Sequence, residues 1–136
     1  MQITMEIATR GRGIYEITPQ VSAAVARSSV ASGLAHLFIQ HTSASLFISE
    51  NADPTVREDL EAFMQRLVPD GDALYRHTAE GPDDMPAHVR STLTGCSLCV
   101  PVVAGELGLG TWQGIFVWEH RHAPHLRQVV LTVQEV

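Results

Sequence analysis

The chain has 136 residues, of which 45% are hydrophobic and 18% charged, so it is long and apolar enough for one compact domain with a genuine core. Its formal charge is −6 and its nine basic residues are all arginines without a basic run, which disfavours a nucleic-acid role. No apolar run is long enough to span a bilayer and the N-terminus lacks a signal-peptide core, so we expect a single domain over residues 1–136, cytoplasmic and without a membrane role.

The N-terminal part of the sequence predicts two strands and a helix. Residues 2–9 alternate polar and apolar side chains, as in a half-buried strand, and residues 14–17 follow a glycine turn as the returning strand. Thr18 and Pro19 are a favourable cap and first residue for a helix, which we expect to run to about Val30.

Gly33 opens the most strand-like stretch, residues 34–49, which is too long for one typical strand. We therefore expect a break at His41, Thr42 and Ser43, where side chains at a sheet end are open to a ligand. These residues can bind a metal or a phosphate there, although the polarity of a strand turn alone also explains them.

A second helix is predicted to begin after Asp53 and Pro54, because apolar residues recur at helical spacing from Val56 to Leu67. Asp53 then has a complete structural explanation as the helix cap.

The stretch 75–92 is the strongest candidate for a functional site. Three acidic residues lie between His77 and His88, and glycine and proline punctuate the segment, so that most of it should be ordered loop. Ordering such a loop costs stability, and no obvious packing of its side chains offsets that cost. We interpret it as a site, against the alternative that the histidines only form hydrogen bonds within the loop.

Pro86 predicts a short helix inside this stretch, with Asp84 or Met85 as its cap. Val89 and Leu93 would form its buried stripe. His88 would then lie in the first turn and face away from the core.

The C-terminal part predicts further strands, which makes the chain an α+β domain with a largely antiparallel or mixed sheet and two or three helices. Residues 97–103 form one strand, and a turn leads into the glycine-dense stretch 107–120, whose glycines suggest close approach of a ligand or another chain. Cys96 and Cys99 are three apart on a strand, so their sulfurs would diverge, and we expect buried structural thiols rather than a redox pair.

Five segments together resemble a known family: H-T-S-A-S-L at 41–46, E-N-A-D-P-T-V-R at 50–57, E-G-P-D-D-M-P-A-H at 80–88, G-T-W-Q-G-I at 110–115 and E-H-R at 119–121. They are similar to the YjbQ-like family of small bacterial and archaeal proteins, often labelled secondary thiamine-phosphate synthases. The resemblance implies a homotrimer, with a site built from the motif residues near subunit interfaces and a divalent metal among the histidines.

Four of the seven histidines lie in or beside these motifs, and zinc prefers imidazole nitrogen. We expect three of them, His41, His77 and His88, to hold a divalent metal such as zinc and leave one position open, with His120 in reserve. Asp83 and Asp84 would then orient the imidazoles, or one of them would act on substrate.

The expected function is that of an enzyme acting on a phosphorylated small molecule, with a thiamine-phosphate synthase type of transfer implied by the resemblance. Asp53 or Asp84 would be the general base. The substrate contacts are assigned to Thr42, Ser43, Asn51, Trp112 and Gln113. A non-catalytic trimeric module that binds a metal or a phosphorylated metabolite, and a metal-dependent hydrolase, are the alternatives.

Overall fold

The computed structural model describes all 136 residues and contains eight strands and three helices. In chain order they are β1 (Gln2–Ala8), β2 (Gly13–Glu16), α1 (Thr18–Arg27), β3 (Ser32–Ile39), β4 (Ala44–Glu50), α2 (Pro54–Leu67), α3 (Asp84–Thr94), β5 (Ser97–Val103), β6 (Glu106–Leu107), β7 (Gln113–Glu119) and β8 (Leu126–Glu135). None of the helices is long and apolar enough to cross a membrane.

The strands form two antiparallel sheets, so the predicted α+β class with antiparallel strands is confirmed. The larger sheet has the order β1-β8-β3-β5-β6, and the smaller has the order β2-β7-β4. Helix α1 packs against strands of both sheets, and α3 packs against β4.

The main core lies on one face of the larger sheet, and strict alternation along two central strands creates it. On β3, Ala35, Leu37 and Ile39 are buried, whereas the side chains between them are exposed. Val129 and Leu131 of β8 pair with this strand and are fully buried in the same cluster. Each buried aliphatic side chain of this size contributes roughly 1.5–3 kcal/mol.

The break predicted at residues 41–43 is confirmed, because β3 ends at Ile39 and β4 begins at Ala44 in the other sheet. The helix start at Asp53 is also confirmed. The Asp53 carboxylate accepts hydrogen bonds from the backbone N–H and the hydroxyl of Thr55, and Pro54 is the first helical residue.

The first helix begins one residue earlier than predicted and ends at Arg27 rather than near Val30. Thr18 does not act as a side-chain cap. Its hydroxyl accepts the backbone N–H of Ile115 instead, because that N–H lies on β7 directly beside the helix start.

The prediction that residues 14–17 return beside the first strand is wrong. Strand β1 pairs with β8, whereas β2 pairs with β7 in the other sheet. Gly11 lies in the segment that crosses between the sheets with a φ of +118°, and a Cβ there would lie 2.6 Å from the carbonyl oxygen of His122. The glycine turn therefore moves the chain between sheets.

The turn after β5 does not lead into one long strand. Strand β6 has only two residues, and the chain then crosses to β7 in the smaller sheet. A Cβ on Gly108 would lie 3.1 Å from the carbonyl oxygen of Pro101, and a Cβ on Gly114 would lie 2.8 Å from Oε2 of Glu16 and 2.9 Å from the Cβ of Asn51. At these two positions, close approach within the chain already accounts for the glycine.

Helix α3 begins at Asp84 rather than at Pro86, and its predicted buried stripe is confirmed only at Val89, which packs against a small apolar cluster around Trp118. Leu93 is 58% exposed, whereas Ala87 and Arg90 are fully buried. Arg90 reaches the core because its guanidinium donates to Glu61 of α2 at 2.9 Å, and the hydrophobic pattern cannot reveal a charged side chain buried by pairing.

The expectation of buried cysteines is also wrong, because both thiols are free and exposed. Cys99 lies on the outer face of the larger sheet, opposite His36 of β3. Cys96 precedes β5 and lines a surface groove. No helix covers the outer face of the larger sheet, so the side chains on that face are exposed.

Candidate functional site

Two histidines and one aspartate meet at the start of α3. Asp84 and His88 are four residues apart on the helix and so lie on the same face, and the preceding loop brings His77 beside them. Oδ2 of Asp84 lies 2.7 Å from Nε2 of His77 and 3.3 Å from Nε2 of His88. The three ligand atoms all lie within 4.8 Å of one another, an arrangement that can hold a metal ion.

The hydrogen bond at the far side of the His88 ring determines its tautomer. Nδ1 lies 3.0 Å from the carbonyl oxygen of Thr42. A carbonyl oxygen can only accept, so Nδ1 carries the hydrogen, and in the neutral ring Nε2 has a free lone pair directed to the cluster. Orientation of a ligand imidazole by a carbonyl is typical of metal sites.

Asp84 is buried and is held in its ionised form by Arg121. The guanidinium Nη1 lies 2.9 Å from Oδ1 of Asp84, which leaves Oδ2 to the two imidazoles. Burial acts to raise the pKa of Asp84, but the hydrogen bond from His77 and the charge of Arg121 outweigh it, so the pKa is lowered.

Asp83 does not touch the imidazoles. Its carboxylate accepts from Nε of Arg121 at 2.9 Å and from the backbone N–H of His122 at 3.0 Å. Despite burial, these bonds lower the pKa of Asp83 to about 2. Asp83 therefore orients Arg121, which in turn orients Asp84, and the sequence had not singled out Arg121 for this role.

The loop that carries His77 is anchored at its beginning by a second charged group. Arg12 forms two hydrogen bonds of 2.9 Å with Asp70, and His122 contacts the same carboxylate at 2.7 Å. Burial opposes the effect, but the hydrogen bonds from Arg12 and His122 lower the pKa of Asp70.

The cluster lies between two cavities. A groove of about 820 Å³ is lined on one side by His88 and on the other by the break between β3 and β4. A smaller cavity of about 380 Å³ lies in the loop and is lined by His77. Both cavities are open, so a molecule in either one can reach an imidazole of the cluster.

The predicted site residues at the strand break line the large groove, but His41 does not join the cluster. Thr42 and Ser43 lie beside it in the groove. Nε2 of His41 accepts the backbone N–H of Gln128 at 2.8 Å, so this nitrogen has no free lone pair for a metal. Burial, followed by the charge of Arg127, lowers the pKa of His41.

The reserve ligand His120 is fully buried and forms a hydrogen bond of 2.7 Å with Ser45. Burial, with the nearby charge of Arg90 next in importance, lowers its pKa to about 3, so the ring is neutral. No hydrogen bond connects His120 to His77, Asp84 or His88.

The remaining predicted residues lie elsewhere. Asp53 caps α2, is bonded to Thr55 and lines neither cavity of the cluster. Asn51, Trp112 and Gln113 lie at the end of β4 opposite to the strand break. There the backbone N–H of Asn51 donates to the carbonyl of Trp112, and Glu50 pairs with Gln113. Seven strand residues separate the two ends by about 20 Å.

A buried ion pair at the floor of the groove was missed by the sequence analysis. Arg127 and Glu119 are almost completely buried, and the guanidinium contacts both carboxylate oxygens. Thr9 also donates to Glu119, at 2.7 Å. A signal was present, because alternation along β8 places Arg127 on the same buried face as Val129 and Leu131.

Comparisons with known proteins agree with the resemblance. The sequence matches the family described as UPF0047 protein YjbQ-like over residues 2–136. It is 52% identical over 132 residues to the UPF0047 protein sll1880 of Synechocystis, covering 97% of this chain and 90% of that protein. It is 45% identical over 134 residues to the UPF0047 protein YjbQ of Escherichia coli O157:H7, covering 98% and 96%.

Solved structures agree as well. A conserved hypothetical protein of Thermus thermophilus superposes with a TM-score of 0.87 at 36% identity, covering 97% of this chain and 99% of that one. A YjbQ/UPF0047 family protein of Clostridium acetobutylicum gives 0.88 at 36% identity with the same coverage. The sequence match and the shared fold together establish that this chain belongs to the YjbQ-like UPF0047 family.

Proposed function

We propose that the protein is a metal-assisted enzyme acting on a phosphorylated small molecule, with His77, Asp84 and His88 as the metal ligands. The observation that carries the proposal is the convergence of these three side chains between two open cavities. The expected ligands were His41, His77 and His88, and in this set Asp84 replaces His41.

The donor chemistry fits a divalent first-row metal. Two imidazole nitrogens and one carboxylate form a three-ligand set of the kind that leaves coordination positions open for catalysis. His88 is already in the tautomer a ligand needs, and Arg121 holds the second oxygen of Asp84. When bound, a metal would supply Lewis-acid stabilisation of the charge on a phosphoryl group.

The carboxylates assigned as general bases do not suit that role. Asp84 faces two imidazoles and an arginine, and its lowered pKa makes it a weak proton acceptor at neutral pH. Hydrogen bonds from Thr55 lower the pKa of Asp53, which caps its helix. We therefore assign Asp84 to metal binding and Asp53 to the structure of α2.

A two-substrate transfer is consistent with the two cavities. His88 lines the larger one and His77 the smaller one, so two molecules can approach the same cluster from different sides. This supports the thiamine-phosphate synthase type of reaction as the finer proposal. A hydrolase would use the same ligands with water in place of the second substrate. We place either enzyme in the cytoplasm.

Turnover distinguishes these reactions. Purified protein would be incubated with an aminopyrimidine diphosphate, alone and together with a thiazole phosphate, in the presence of zinc, manganese or chelator. Metal-dependent formation of the joined product is the expected result, and release of pyrophosphate or phosphate without the second compound would identify a hydrolase. Saturable binding without any turnover would contradict the enzyme proposal and favour a binding module.

We propose further that the protein is a homotrimer, in which the outer face of the larger sheet is covered by another copy. Leu34 and Phe38 of β3 and Val103 of β5 are 42–60% exposed on that face. Exposed apolar side chains grouped in this way commonly mark a contact with another protein. Within one chain the two ends of β4 are far apart, but in a trimer the strand break of one copy can lie beside Asn51 of another.

Sedimentation is expected to give about three times the chain mass of 14.8 kDa at micromolar concentration. Leu34→Glu should shift the protein toward monomer, because it buries a charge in the proposed contact. Phe63→Glu is the matched control, since Phe63 is 58% exposed on α2 and lies off this face. A stable wild-type monomer would contradict the trimer.

A further inference from the structure

Arg127 lies at the floor of the large groove, and one nitrogen of its guanidinium group has no hydrogen-bond acceptor in the protein. Nε of Arg127 donates to Glu119, and Nη2 is shared between Glu119, the hydroxyl oxygen of Ser43 at 2.9 Å and the carbonyl oxygen of Ser43 at 3.2 Å. Nη1 carries two N–H groups, yet no protein atom accepts from them. The residue is only 3% exposed, and it lines the groove. Nη1 therefore faces the groove and is free to donate to a molecule bound there.

His41 presents a second donor beside it. Because Nε2 accepts from the N–H of Gln128, the ring hydrogen is on Nδ1. No protein acceptor contacts Nδ1, and the ring lines the same groove. The imidazole is thus arranged to donate a hydrogen bond and not to bind a cation.

Ser43 completes the group. Its oxygen accepts from Nη2 of Arg127, so its own hydrogen is free to donate. Ser91 and Thr92 of α3 also line the groove, but their hydroxyls already donate to backbone carbonyls, those of Ala44 and His88 respectively. The free donors are therefore concentrated at the strand break, at the side of the groove away from α3.

We infer that this part of the groove is a phosphoryl subsite, in which Nη1 of Arg127, Nδ1 of His41 and the hydroxyl of Ser43 donate to the oxygens of one phosphate group. Glu119 contacts the opposite edge of the guanidinium and fixes its orientation. The inference rests on the proposed function, which it makes more specific: the substrate is a phosphate ester or diphosphate that reaches from Arg127 toward His88.

The test measures binding of inorganic phosphate to metal-free protein by phosphorus NMR or calorimetry. His41→Ala is expected to weaken binding about tenfold, and Arg127→Lys by at least as much, because each removes a hydrogen bond to a charged group. Arg127→Lys keeps a positive charge beside Glu119, and thermal melts would verify that both variants fold. His125→Ala is the matched control, since His125 contacts Glu119 but does not line the groove.

The subsite is overturned if folded His41→Ala and Arg127→Lys bind phosphate as tightly as the wild type, or if phosphate binds only when metal is present. Either result leaves the metal cluster and its turnover assay unaffected. Conversely, phosphate binding that depends on His41 and Arg127 in a protein that takes up no metal would support the subsite and contradict the metal-assisted function.

Discussion

Replacement of His88 by alanine is expected to lower the affinity of the protein for zinc by at least about 100-fold, because it removes a residue that binds the metal directly. Loss of a group that only hydrogen-bonds such a ligand already costs about 10–100-fold in metal affinity. His77→Ala and Asp84→Asn should have the same effect, since each removes one of the three converging donors. Wild-type protein should retain about one zinc per chain, measured by elemental analysis and by competition with a chromogenic chelator.

The control variants decide between the two sets of ligands. His41→Ala should retain zinc, because Nε2 of His41 is occupied by a backbone N–H, and His120→Ala should retain it if the variant folds. Arg121→Ala should weaken zinc binding by about 10–100-fold through loss of the contact that orients Asp84. Full zinc retention in His77→Ala and His88→Ala, or loss in His41→Ala, would refute the assignment.

The second large effect concerns stability. Glu119→Ala is expected to reduce the free energy of unfolding by about 3–5 kcal/mol, because it leaves the buried guanidinium of Arg127 without its counter-ion. A loss of this size corresponds to a fall of roughly 10 °C or more in the melting temperature. Glu58→Ala is the control, since Glu58 is an exposed residue of α2 and should change stability by less than about 0.5 kcal/mol. Equal melting temperatures for the two variants would contradict the prediction.

The contribution of Glu119 should also depend on pH. Burial acts to raise its pKa, but the hydrogen bonds from Arg127 and Thr9 outweigh it, so the pKa is lowered. Such a group stabilises the fold above its unfolded pKa of about 4.3, and the stabilisation is lost as the pH falls below it toward the folded value. The difference in unfolding free energy between wild type and Glu119→Gln should therefore shrink from pH 6 to pH 3 in denaturant titrations. An unchanged difference would contradict the ion-pair explanation.

Local signals in the sequence were sufficient to predict several elements and part of the site. Asp53 followed by Pro54 predicts the start of α2, because a cap and a first-turn proline act on their own helix. The polar break at residues 41–43 marks the change from one sheet to the other. Asp84 and His88 are four apart, so a helix alone brings them together. The motif pattern was specific enough to indicate the family.

Only the tertiary structure determined which distant groups meet. Strand β2 pairs with β7 and not with its neighbour β1, and no local pattern distinguishes these pairings because both satisfy the same alternation. Arg90 and Arg127 are buried because partners elsewhere in the chain neutralise them, and hydrophobic periodicity assigns charged side chains to the surface. His41 does not join the proposed metal ligands, because its Nε2 accepts the backbone N–H of Gln128, which β8 positions against the ring. Residue types in the sequence thus determined which chemistry was available, whereas strand pairing determined which atoms were left free to perform it.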